Sequence, residues 1–110
     1  MIPEDEIERA VSWLRDNARE AAQAKANAAY LKEWVKSVRA KCAMKHAGTS
    51  QAAADTHAMI DPEYLAALEA MKQAVEADSH FAFLREAAGA KIEAWRTQCA
   101  TARAEGKAYS

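Results

Sequence analysis

Residues 43–64 read AMKHAGTSQAAADTHAMIDPEY, and this stretch decides the fold because helix-breaking signals cluster in it. Gly48-Thr49-Ser50 is a helix stop followed by a new cap. Gln51 to Met59 is then a short alanine-rich helix, and Asp61-Pro62 restarts the chain with Asp as cap and Pro at the first helical position. On either side the chain is long and nearly free of breakers, with 29 alanines against three glycines and two prolines overall. Alanine has the highest helix propensity, so long helices are favoured and a sheet is not. The expected fold class is all-α, a single helical domain over residues 1–110. Its architecture is an antiparallel two-helix coiled-coil hairpin with long helices over about 4–46 and 62–105 and a short one over about 50–59 in the connection.

Working outward, Pro3 and the acids Glu4, Asp5, Glu6 and Glu8 suit a helix start. Apolar or small residues recur at Ile7, Val11, Leu14, Ala18, Ala21, Ala24, Ala28, Leu31, Val35, Val38 and Cys42, a coiled-coil seam with one stammer. The second seam runs through Tyr64, Leu68, Met71 and Val75, less cleanly through Ala82 and Leu84, then through Ala88, Ile92, Trp95, Cys99 and Ala102. Asp78-Ser79-His80 competes for backbone hydrogen bonds and is the expected point of interruption, and Gly106 is the expected end.

Charge supports the hairpin. Successive blocks 1–20, 21–47, 48–78 and 79–110 carry −3, +5, −5 and +2, for a net −1. Folding back opposes blocks of unlike sign, so most charge is expected to cancel internally. If helix ends lie near 46 and 62, residues at one level have numbers adding to about 108. Arg15 then meets Glu93, Lys32 meets Glu76, Arg39 meets Glu69, and Lys36 lies level with Lys72. Exposed pairs contribute only about 0.2–1 kcal/mol each, so they specify register more than stability.

The other flank is apolar: Ala10, Trp13, Tyr30 and Trp34 precede the first seam, and Ala67, Ala70, Ala74, Phe83, Ala87 and Ala94 the second. A lone hairpin cannot cover that stripe, which predicts a homo-oligomer, a completed helical bundle with Trp13, Tyr30, Trp34 and Phe83 in its interface.

Little in the chain speaks for catalysis. There is no Gly-rich phosphate loop, nucleophile elbow or HExxH motif. His46, His57 and His80 have no metal-ligand spacing with one another or with Cys42 and Cys99, which fall on seam positions. No catalytic residue, metal or cofactor is assigned, and the expectation is a non-enzyme. The hairpin sets Cys42 and Cys99 about 50 Å apart, too far to bridge. No apolar run reaches the length of a membrane span, and the acidic start is unlike a signal peptide, so the expected location is the cytoplasm, without membrane partners.

Two clusters could bind partners. After the assigned pairings, Lys36, Lys41 and Lys45 remain uncompensated and could contact single-stranded DNA, with Trp34 and Tyr30 supplying stacking. Trp95, Arg96 and Arg103, with Lys107, could hold an acidic protein, although Trp13–Trp95 packing and the helix dipole explain the same residues structurally.

Ala28-Ala29-Tyr30-Leu31, Lys36-Ser37-Val38-Arg39-Ala40, Asp61-Pro62-Glu63-Tyr64 and Ile92-Glu93-Ala94-Trp95-Arg96-Thr97 together resemble a family of small helical proteins of tailed bacteriophages, often encoded near single-strand annealing and recombination genes. The resemblance spans residues 20–105. It implies a phage accessory or scaffolding role in DNA recombination or replication inside the bacterial host, with a DNA-metabolism protein of phage or host as partner. A phage inhibitor of a host defence or nuclease protein and a structural virion component are the rival expectations.

Overall fold

In a computed structural model the chain forms α1 (Glu4–Met44), α2 (Gln51–Met59) and α3 (Pro62–Tyr109). The structure describes residues 1–109, with side chains through residue 106. The fold is the all-α hairpin that the sequence predicts: α1 packs against α3, with α2 in the connection.

The breaks follow local chemistry. After Met44 the chain turns through short bonds, Lys45 N–H to the Cys42 carbonyl (3.2 Å), His46 N–H to Ala43 (3.0 Å) and Thr49 N–H to His46 (3.0 Å). Gly48 takes no left-handed conformation, so these tight turns end the helix rather than a glycine cap. Ser50 caps α2, its hydroxyl accepting from the Ala53 N–H at 3.2 Å. Asp61 caps α3 in the same way, accepting from the Glu63 N–H at 2.9 Å, and Pro62 occupies the first helical position. Two expected breaks are absent. α3 runs unbroken through Asp78-Ser79-His80 and past Gly106; a helix bonded on both sides tolerates an isolated weak former at a cost of about 1 kcal/mol or less.

Contacts divide the chain into two compact units, Met1–Ala21 with His80–Ser110, and Ala22–Ser79. In the second unit Val35, Val38, Cys42, Ala58 and Ala67 form a buried cluster, with Tyr64, Leu68 and Met71 packed on it. α2 closes the turn end by burying Ala54 and Ala58. In the first unit Ile7 and Ala10 are buried, Lys91 meets Glu6 at 2.9 Å, and the Ile2 N–H donates to Gln98 Oε1 at 2.9 Å.

Burial redraws both seams. On α1, Val11 and Ala18 are exposed, while Ala10 is buried and Asn17 half-buried. The stripe is therefore Ile7, Ala10, Leu14, Asn17, Ala21, Ala24, Ala28, Leu31, Val35, Val38 and Cys42, alternating threes and fours with no stammer. Asn17 escapes an apolar pattern because it is polar; its Nδ2 donates to the Trp13 carbonyl at 2.9 Å, so part of its polarity is satisfied within the helix. On α3, Ala67 and Ala74 are buried and belong to the core rather than to an open flank.

The three expected inter-helix pairs do not form. Arg15 bonds Asp16, Glu93 bonds Arg96, and Lys32, Arg39, Glu69 and Glu76 stand in no ion pair of the described residues. Glu6 meets Lys91, whereas the level rule places residue 102 beside it. Near the turn, Lys41 meets Glu63 and not residue 67. α1 stops two residues earlier than expected, and the inward turn of Ala67 and Ala74 carries the exposed Glu69 and Glu76 outward. Nor do Trp13 and Trp95 stack: the aromatic pairs among the described residues are His46–His57 and His80–Phe81.

Candidate interaction surfaces

The most concentrated chemistry sits at the turn. Lys45 Nζ lies 2.9 Å from Asp61 Oδ2 and 3.3 Å from Glu63 Oε2, and Lys41 Nζ lies 2.7 Å from Glu63 Oε1. Two cations at the end of α1 thus face two acids at the start of α3, where each helix dipole already favours that sign. The Lys45 ammonium and the Glu63 N–H hold the Asp61 carboxyl below its ordinary range, and the Lys41 and Lys45 ammoniums do the same for Glu63. Hydrogen bonds to Glu63 and Asp61 in turn push Lys41 and Lys45 up. Beneath them the Cys42 thiol is fully buried, and burial, then the Asp61 charge, pushes its pKa up.

Cys42 Sγ and one carboxylate oxygen from each of Asp61 and Glu63 lie within 4.8 Å of one another, a sulfur–oxygen donor set that the sequence spacing does not reveal. Its chemistry as it stands is that of a clamp: ammonium groups already occupy both carboxylates, and burial together with the Asp61 charge disfavours the thiolate that a metal would need. Cap residues were legible in Asp61-Pro62, but their pairing with Lys41 and Lys45 depended on the register.

This clamp overturns one premise. Lys41 and Lys45, expected to be uncompensated, are neutralised across the hairpin, and Lys36 pairs with Glu33 at 3.1 Å along its own helix. The structure does not gather the three into a free cationic track.

The Lys41–Glu63 bond also marks which flank of α1 adjoins which flank of α3 in the second unit. Tyr30 and Trp34 precede Lys41 at helical spacing, and Ala70 and Ala77 follow Glu63 at intervals of seven, so all lie on that flank. Apart from the ion pair itself they bring no charge to it. Tyr30 is 65% exposed and Trp34 41%. In the first unit Phe83 is exposed, and Trp13 is half-buried in an open cleft with Arg9, Ala10, Leu84 and Lys91. Trp95 is half-buried, Arg96 is exposed and tied to Glu93 at 2.9 Å, and Arg103 is exposed; Lys107 lies outside the described side chains.

At the turn the His46 and His57 rings stack with centroids 4.2 Å apart, a contact between the α1–α2 connection and α2. Both cysteines are free. Among the described residues no helix is long and apolar enough to cross a membrane. Comparison of the chain with protein-family models, with characterised proteins and with solved structures finds no match.

Proposed function

We propose that this chain is a non-enzymatic, self-associating helical scaffold that serves a bacteriophage as an accessory factor in DNA recombination or replication, presenting a surface to a protein of that machinery. One observation carries the scaffold reading: side-chain size is inverted. Six of the ten buried apolar residues among the described ones are alanines, whereas Val11, Tyr30, Trp34, Leu65, Phe83 and Leu84 are exposed. A tyrosine or tryptophan buries about 150–250 Å² when covered, and exposed apolar residues gathered on one face mark association sites. The uncharged flank of Tyr30, Trp34, Ala70 and Ala77 sets large rings beside small residues, so a second copy related by a two-fold axis can lay its rings on the alanines of the first. The phage setting is supported by the resemblance of the Tyr30, Arg39, Tyr64 and Trp95 segments to the small phage helical proteins.

Light scattering on the purified chain tests the reading. Wild type is expected to run as a dimer or larger assembly, and Trp34→Glu, which puts a charge in the flank, to run as a folded monomer. A stable wild-type monomer would remove the self-association.

A further inference from the structure

We infer that the flank opposite Tyr30 and Trp34 binds the phosphate backbone of nucleic acid, through Lys25, Lys32, Arg39 and Lys72. Lys25, Lys32 and Arg39 are spaced by seven residues, so they line one flank of α1 at intervals of about 10 Å. Lys41, whose bond to Glu63 marks the other flank, is two residues and therefore about 200° on from Arg39. On α3, Lys72 stands in the same relation to Ala70, which shares the flank of Glu63, so Lys72 lies on the cationic side. With Lys41 opposite Glu63, Lys72 falls close to the level of Lys32.

Three further observations bear on the ligand. All four cations are exposed, and none takes part in an ion pair of the described residues. Of the unit's acids, Asp55, Glu69, Glu76 and Asp78 stand in no ion pair of the described residues; Glu69 and Glu76 are exposed and, three before and four after Lys72, border the stripe on α3. Finally, Tyr30 and Trp34 lie across the hairpin from the stripe, whose apolar neighbours are Leu65, seven residues before Lys72, and Met44 and His46, which line an open cavity with Arg39. A protein partner is anchored by buried aromatic or apolar side chains with charges at the rim. Four exposed, unpaired cations, three of them evenly spaced along α1 and none beside an exposed tryptophan or tyrosine, fit a phosphate backbone, which is held by charge. Without a stacking platform there is no reason for single strands to be preferred, so duplex should bind at least as well.

The inference names a ligand surface for the scaffold proposed above and takes only its biological setting from that reading. It is tested by fluorescence anisotropy with a labelled oligonucleotide of about 20 nucleotides, single-stranded and duplex, between about 50 and 200 mM salt. Four contacts predict a log–log slope of about −3.6 on duplex, roughly a hundredfold loss over that range. The variant Lys25→Gln/Lys32→Gln/Arg39→Gln/Lys72→Gln should abolish binding, while Lys41→Gln/Lys45→Gln should keep the slope. If the fourfold variant loses helicity, Lys32→Gln/Arg39→Gln alone should halve the slope. Wild type that fails to bind at about 50 mM salt overturns the inference, as does an unchanged slope in the folded fourfold variant. Displacement of duplex by polyglutamate at equal charge also overturns it, reassigning the stripe to an acidic protein. Light scattering on the same samples separates this failure from failure of the scaffold reading, because the stripe and the aromatic flank are different surfaces.

Discussion

Enlarging Ala67 tests the packing directly. Ala67 is 1% exposed and touches the cluster of Val35, Val38, Cys42 and Ala58, so α1 lies across from it and α2 closes the end of the same core. Leucine adds three carbons where no element can yield alone. Overpacking of a dense core costs about 1–3 kcal/mol, and the involvement of three helices puts Ala67→Leu near the upper figure. For a chain of this size each kcal/mol moves the melting temperature by about 4–8 °C, so a fall of roughly 10–20 °C is expected. Thermal melts followed by far-UV circular dichroism, at one protein concentration because association shifts the midpoint, provide the measurement. Ala66→Leu is the control: Ala66 is exposed, leucine is nearly as good a helix former, and the change should stay within about 0.5 kcal/mol. Equal melting temperatures for the two variants would refute the placement of Ala67 in the core and restore it to an open flank.

Two further outcomes follow from the turn. Asp61 and Glu63 have depressed pKa values in the fold, so their contribution is present above the ordinary carboxylate range and is lost as pH falls through the folded values; urea midpoints should drop below about pH 4. Cys42, Lys41 and Lys45 are raised, so their contribution is present below their ordinary values and is lost as pH rises; the midpoints should fall again above about pH 9, and a profile flat through both limits would count against the clamp. In double-mutant cycles, Lys45→Gln with Asp61→Asn should show a favourable coupling of a few tenths to about 1 kcal/mol, while Arg39→Gln with Glu69→Gln should show none. The reverse result would reinstate the register drawn from charge alone.

The shift of register shows where sequence reasoning lost its grip. Arg39–Glu69 and Lys32–Glu76 looked persuasive because unlike blocks oppose one another in any antiparallel hairpin. Yet in the second unit a displacement of about one turn, from residue 67 to Glu63 opposite Lys41, preserves block-on-block attraction while changing the individual partners. Surface pairs weaker than about 1 kcal/mol cannot hold a register against the packing of a core. The clamp at Lys41, Lys45, Asp61 and Glu63 was equally hidden: its acids were legible as a helix start, its lysines as leftover charge.

By itself the sequence determined what local chemistry can determine. Alanine content made the helices, Ser50 and Asp61 with Pro62 marked two helix starts, and the breaker cluster between Gly48 and Pro62 placed the reversal. Only the tertiary structure decided which side of each helix faces inward. With 29 alanines the apolar pattern has little contrast, because a methyl group is tolerated on either face, and so Ala10, Ala67 and Ala74 could be read as surface and Val11 and Ala18 as seam. Mostly small side chains occupy the buried positions, and Tyr30, Trp34 and Phe83 are left outside. That choice depends on the separation and rotation of two helices together, which neither helix encodes alone.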